Sequence, residues 1–311
     1  MRPTSFDSAL RATLTYFGLM GLALRPDEVA QYLYGWDATP TLSQVVQEMA
    51  RLPEIVESSG FYTLRGAESL VEYRRAAAPL VRERWRKVRR FGGLFSALPF
   101  VRMVAVVNSL AHGLASPKSD IDLFVVVEDG RMDEARFWFK ALTQLCGVRV
   151  HHNKRAGRFC LSFFVTQRSL DLREVALPFD PHLASMIVTA QPVCGAEQFD
   201  EWRKANAHWV ADYFPTAVAL WNRPDQREKT LALTGESRRP RSLAAPHFTR
   251  LIELLSVRPL GGLNYKRDAR YVGRVSQTET ASYIWTADVV KFHERDRRKF
   301  LAESFRKAFS D

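Results

Sequence analysis

The sequence predicts a mixed α/β protein, an α+β core with helical units before and after it. Three observations carry that expectation. Between residues 100 and 178 strand-like and helix-like segments alternate, the order that builds a sheet covered by helices. Two apolar runs in that stretch, MVAVV (103–107) and LFVVV (123–127), have the length of buried strands. Before 63 and after 180, apolar residues recur at the three- and four-residue spacing of amphipathic helices.

Composition bounds the rest. A chain of 311 residues leans toward more than one structural unit, and 46% hydrophobic content supports a real core. The apolar runs are far shorter than the ~20 residues that span a bilayer, so no membrane partner is expected. MRPTSFDSALRATL, at the start, brings an acid early and has no cleavable apolar core, which argues against a secretory signal. The three cysteines, Cys146, Cys160 and Cys194, are odd in number and too widely spaced for a zinc pair. A reduced, cytoplasmic protein is expected, with Cys146 and Cys160 as core thiols. A net charge of +11 and a pI of about 9.8 favour polyanions, nucleic acid first among them. Genome composition alone also produces arginine-rich surfaces.

Residues 1–65 read as a small, mostly helical unit. FDSALRATLTYFGLMG (6–21) has helical spacing, with Ser5 or Asp7 as its cap. RPDEVAQYLYG (25–35) places Pro26 at a helix start and Gly35 at its stop. TLSQVVQEMARLP (41–53) makes a third helix, and EIVESSGFYTLRG (54–66) alternates around a Ser-Gly turn as a hairpin. Three helices followed by a hairpin resemble a winged-helix domain, which serves DNA or RNA binding and protein docking alike. Residues 66–99 read as a basic helical linker that Pro79 should kink or split. Its Arg74, Arg75, Arg82, Arg84, Arg86, Lys87, Arg89 and Arg90 either cover apolar surface with their stems or track phosphates beside an active site. Trp85 and Phe91 read as core anchors.

Residues 100–178 then run as strand VRMVAVVNS, short helix LAHGLA, strand DIDLFVVVE and helix RMDEARFWFKALTQLCG. Two more strand-like pieces, VRVHHNK and RFCLSFFVTQ, follow. Residues 179–311 read as a helical C-terminal region. Its helices are DPHLASMIVTA, AEQFDEWRKANAHWVADYF and segments near 247–256 and 283–309, with GESRRPRSLAAP (235–246) as a flexible stretch.

The chemistry concentrates in NSLAHGLASPKSDIDLFVVV (108–127). Asp120 and Asp122 flank Ile121, so on a strand their carboxylates project from one face. Two carboxylates that close repel each other unless a cation neutralises them. Mg²⁺ suits the task, taking one or two carboxylates together with substrate phosphates. Just upstream, Ser109 ends a strand and starts a short helix, where its hydroxyl and free N–H groups can cradle phosphate. A triphosphate at Ser109, with Mg²⁺ or Mn²⁺ bridging it to Asp120 and Asp122, is set up for in-line attack on the α-phosphate.

These residues resemble the nucleotidyltransferase superfamily of DNA polymerase β, poly(A) polymerases, CCA-adding enzymes and aminoglycoside nucleotidyltransferases. Its apolar strand, small-residue turn, spacer and Asp-apolar-Asp are matched by VAVVNS, LAHGLASPK and SDIDLFVVV over about 25 residues. The surrounding α/β order extends the likeness over 100–178. The resemblance implies a nucleotidyltransferase-like core with a mixed sheet, and helices after 180 that hold base and ribose. It implies transfer of a nucleoside monophosphate from an NTP to an acceptor hydroxyl, with RNA or DNA the expected acceptor. Asp120 and Asp122 would then be the catalytic metal ligands, with Asn108 and Ser109 at the phosphates. His112 and Lys118 either contact phosphate or are ordinary loop residues, and Ser119 either joins the cradle or shapes a turn with Ser116.

Two departures from the family pattern matter. Asn108 stands where glycine is usual; Asn reaches the left-handed conformation but adds a side chain. A third carboxylate, which the family places on a later neighbouring strand, is missing from RFCLSFFVT, whose central inward position holds Ser162. Asp171, in SLDLREV, supplies it if the chain turns back as a hairpin; otherwise it is a turn or capping residue. Two functional readings therefore stay open. One is an active transferase, with membership of a toxin or defence system among its forms. The other is a catalytically degenerate relative acting as a nucleic-acid-binding or nucleotide-sensing regulator. A protein partner is compatible with both.

Overall fold

A computed structural model describes residues 2–150, 154–221, 223, 225, 234, 282–293 and 296–310. Ser5 and Ser8 exchange hydrogen bonds in a capping box that starts helix α1 (Phe6–Leu19). Helix α2 (Pro26–Gln31) opens on Pro26, and α3 (Leu42–Arg51) opens on a Thr41–Gln44 capping box. The hairpin β1 (Ile55–Ser58) and β2 (Phe61–Leu64) turns through Ser59 and Gly60, both at positive φ. Leu24 adds an antiparallel bridge to Tyr62, so a short extended segment precedes α2. Residues 1–65 hold five arginines against seven acidic residues, which places the chain's positive excess elsewhere.

Helix α4 (Ser69–Ser96) runs unbroken for 28 residues. The split expected at Pro79 does not occur, because Pro79 lies on the exposed side, where the carbonyl it leaves unbonded can face water. Beyond α4 come β3 (Val101–Val106), α5 (Asn108–Ala111), β4 (Ile121–Val127), α6 (Met132–Leu145) and β5 (Phe159–Thr166). Helix α7 (Pro181–Thr189), β6 (Gln191–Cys194), α8 (Ala196–Val210) and α9 (Pro215–Trp221) follow. The last elements are β7 (Ser282–Trp285), β8 (Val289–His293) and a C-terminal helix, α10 (Arg298–Ser310).

These strands form one six-stranded sheet in the order β6-β3-β4-β5-β8-β7. Only β4 and β5 pair in parallel, so the sheet is mixed. Alternation along the strands separates two cores. Leu123, Val125, Phe159 and Phe164 pack with Val88 and Phe95 of α4 and Phe139 of α6. Phe124, Val126, Phe163 and Val165 share the other core with α1, α7, α8 and α10. Among the described residues, no helix is long and apolar enough to cross a membrane.

The sheet draws strands from beyond 100–178. QPVC, inside the stretch expected to be helical, is the edge strand β6. Residues 282–293 form a hairpin where 283–309 was expected to be helical, and the helix begins only at Arg298. Four residues are too few to display a period, and backbone pairing with β3 and β5 decides these segments. Of VRVHHNK, Arg149 makes a single bridge to Phe159. The stretches 235–246 and 247–256 lie outside the described residues.

Candidate functional site

The turn between β3 and α5 is built on Asn108, whose φ of 59° lies in the left-handed region. Its side-chain N–H donates to Asp122 Oδ2 at 3.2 Å, and the Val107 N–H donates to the Asp122 carbonyl at 3.1 Å. Turn and strand β4 are thereby joined. Ile121 is fully buried in the α4–α6 core, so Asp120 and Asp122 face the other way, as the alternation predicts. Cys160 of β5 is the register partner of Asp122, and an extra residue in β5 shifts the pairing before Phe124 meets Phe163. One ligand atom each from Asp120, Asp122 and Cys160 lies within 4.8 Å of the others, a group that could hold a metal ion.

Charge in this group is strained. Burial, and then the Asp120 carboxylate, push the Asp122 carboxyl up to about 6, against hydrogen bonds from Asn108 and Cys160. Burial and the two carboxylates push the Cys160 thiol well above its ordinary value, so it stays protonated. Arg155 donates to Asp120 Oδ2 at 3.0 Å from a half-exposed position.

The loop leading to Asp120 is braced from α4. Ser116 and Ser119 each accept the other's backbone N–H, at 3.0 and 3.1 Å. Arg84, buried on α4, donates to the Ser119 carbonyl and, at 2.8 Å, to that of Ser116. Lys87 reaches the Gly157 carbonyl at 2.6 Å. Part of the basic helix thus holds the site loop in place, while Arg82, Arg86, Arg89 and Arg90 remain exposed. The Ser119 side chain is engaged in this turn, accepting from the Ser116 N–H and donating to the Ser116 carbonyl. Lys118 stands exposed at the apex and Ser109 is exposed at the start of α5.

Inward of Asp122 lies a cavity of about 230 Å³ between the turn, α7, β8 and α10. His112 and His182 line it, and His112 is only 7% exposed. Burial, with His182 and Arg74 adding to it, drives the His112 imidazole down to about 3. The His112 ring is therefore neutral in the folded protein. Burial likewise lowers His182 to about 4. His112 Nε2 and His182 Nδ1 have no hydrogen-bond partner. Lys291, lowered to about 8 by burial and Arg298, bonds Asp296 at 3.3 Å. Arg298 bonds Asp296 and Asp180, both at 2.9 Å.

Asp171 is not brought to this group. It caps a 3-10 turn (Leu172–Val175) by accepting from the Arg173 N–H at 2.9 Å, and His208 lies 3.6 Å from its carboxylate. It follows the far end of β5, whereas Asp122 is level with Cys160 near the beginning. Six strand residues, roughly 20 Å, separate the two levels. After β5 the chain enters 3-10 turns and does not return as a strand, so capping is its role.

Cys160, expected in the core, stands beside the carboxylates instead. Arg84 was readable as more than a surface cation: it lies on the stripe of Ala77, Val88, Phe91 and Phe95 that α4 buries. No local signal marks Arg155, His182 or Lys291, which distant pairing brings to the site. No family model matches the chain, and no curated protein or solved structure matches it either.

Proposed function

We propose that the protein is a metal-dependent nucleotidyltransferase that moves a nucleoside monophosphate from an NTP to an acceptor hydroxyl. The observation that carries this reading is the left-handed strand-to-helix turn at Asn108, tied to Asp122, with Asp120 on the same face. The resemblance calls for glycine there because the backbone comes close to phosphate; Asn108 reaches a left-handed conformation, at φ 59°, but still brings a side chain. The donor set suits a hard dication: two adjoining carboxylates, one of them costly to ionise alone. Bound by Asp120 and Asp122, Mg²⁺ or Mn²⁺ would neutralise the pair and polarise the α-phosphate. Ser109 would position the triphosphate, with exposed Lys118 and Arg155 on its outer side.

For a nucleic-acid acceptor, the exposed arginines of α4 are the supporting surface. The N-terminal unit supports it less. Its order of helix, extended segment, two helices and hairpin suits a winged-helix-like reading, but the only charges on α3 are Glu48 and Arg51, which pair at 3.1 Å. A net acidic unit of that shape favours a protein partner over a phosphate backbone.

One observation favours the alternative, a catalytically degenerate regulator. The β5 residue level with Asp122 is a protonated thiol, which neither adds a hard ligand nor accepts a proton from an attacking hydroxyl. Label transfer from each of the four NTPs, with Mg²⁺ or Mn²⁺, to RNA, single-stranded DNA or the protein itself separates the two. Transfer that vanishes in the Asp120→Asn, Asp122→Asn double variant establishes the enzyme. Metal-dependent NTP binding without transfer establishes the regulator, and absence of both overturns the two readings together.

A further inference from the structure

We propose that Arg155 is the counter-cation of Asp120, displaced when a dication binds there, and that its guanidinium then passes to the phosphates of the nucleotide. The proposal rests on the metal and nucleotide reading of the site and names the residue that guards it. Three observations carry it.

The first is a turn fastened independently of the Arg155 side chain. Gly157, at φ 62°, lets RAGR (155–158) double back, and the Arg158 N–H closes the turn on the Arg155 carbonyl at 2.9 Å. Three more bonds tie it to the site loop and to α4. The Gly157 N–H donates to the Ser119 carbonyl at 2.9 Å, and the Ile121 N–H to the Arg158 carbonyl at 2.8 Å. Lys87 donates to the Gly157 carbonyl at 2.6 Å. The ion pair with Asp120 is therefore not needed to shape the loop.

The second observation is the pairing of Asp120. Among the described residues, its carboxylate accepts from Arg155 and from no other group. The Asp120 side chain is 15% exposed and that of Arg155 49%, so the guanidinium stands on the solvent side of the carboxylate.

Charge is the third. A dication such as Mg²⁺ sits about 2.0–2.1 Å from a carboxylate oxygen, within a few ångströms of any guanidinium bonded to the same group. At that range salt screens little of the repulsion between the two cations. The dication, with Asp122 as its second ligand, holds the stronger position, so Arg155 gives way. Its long stem starts from a fixed turn and keeps the fork beside Asp120, where phosphate oxygens match it bidentately. Metal and nucleotide are thereby loaded cooperatively: the first turns the guanidinium from carboxylate to phosphate.

The test requires neither transfer nor knowledge of the base. Mn²⁺ alone would be titrated into the full-length protein and into Arg155→Ala, with free Mn²⁺ followed by its EPR signal. Removing the arginine should tighten Mn²⁺ binding about threefold, the scale of a partly exposed ion pair. Loss of a structural contact would weaken it instead. Lys118→Ala removes an exposed cation that is not bonded to Asp120, and should leave Mn²⁺ affinity nearly unchanged. Inorganic triphosphate would then be titrated with Mg²⁺ saturating. Its affinity should fall about tenfold in Arg155→Ala and recover in part in Arg155→Lys, as a charge-assisted hydrogen bond requires. Thermal melts check folding, and Arg155→Gln stands in if the alanine variant is unstable. Unchanged or weaker Mn²⁺ binding in Arg155→Ala, or an equal rise in Lys118→Ala, overturns the exchange and leaves the metal reading intact. Tighter Mn²⁺ binding with unaltered triphosphate affinity overturns the hand-over to phosphate. If Mn²⁺ binds neither the parent nor Arg155→Ala, the metal reading itself falls, and the exchange with it.

Discussion

Asp122 sits where burial opposes its charge, and that conflict has a measurable sign. Its folded carboxyl titrates near 6 against an ordinary value of 3.8, so the folded protein retains a proton that the unfolded chain has released. Stability should therefore fall as pH rises from about 4 to 6, then stay at the lower level. In EDTA at pH 7.5, Asp122→Asn should gain on the order of 2 kcal/mol in urea unfolding, and near pH 4 it should match the parent. An unchanged urea midpoint at pH 7.5 would show that the carboxylate is not strained. Arg84 illustrates a different residue-scale effect, since its value lies in the carbonyls it satisfies. Arg84→Met should cost about 2–4 kcal/mol and speed hydrogen exchange at 116–122. Exchange as slow as in the parent would mean that the Ser116–Ser119 turn holds itself.

Among the elements, the join between β6 and α8 is the least tolerant. Gly195, at φ 76°, is packed so tightly that a Cβ would stand 2.0 Å from the Arg102 carbonyl oxygen. Gly195→Ala should cost about 3 kcal/mol or more, read as a drop in thermal midpoint, because both backbone and strand β3 would have to shift. A loss under 1 kcal/mol would show that β6 can detach from the sheet edge without consequence. The helices were legible from their starts: Ser5, Pro26 and Thr41 mark real helix boundaries because capping is local chemistry. Strands β6 and β8 were not legible, because the groups that stabilise them belong to residues 85 to 128 positions away in β3 and β5, and β7 joins the sheet only through β8.

For the whole molecule, α10 is held against α7 by a buried pair. Asp180 is 1% exposed, caps α7 and bonds Arg298 at 2.9 Å. Removing Arg298 leaves the buried Asp180 carboxylate without its cation, whereas Arg298 keeps Asp296 at 2.9 Å when Asp180 is removed. Arg298→Met should therefore cost about 3–5 kcal/mol, Asp180→Asn less, and the Asp180→Asn, Arg298→Met pair less than the two single losses summed. A double-mutant cycle in urea measures this, and strict additivity would show that the pair is uncoupled. The same contact closes the cavity wall, so proteolysis near 296–298 should accelerate in the single variants.

The sequence by itself determined that Asp120 and Asp122 share a face, since a period of two along a strand admits no other outcome once Ile121 is buried. It also determined that a left-handed turn could form at Asn108, which is a property of that side chain. Only the tertiary structure decided that Cys160 and not an acid stands level with Asp122, that Asp171 lies at the far end of β5, and that Lys291 and His182 face one cavity. Those outcomes depend on register and on crossovers between distant segments, and no local pattern encodes either.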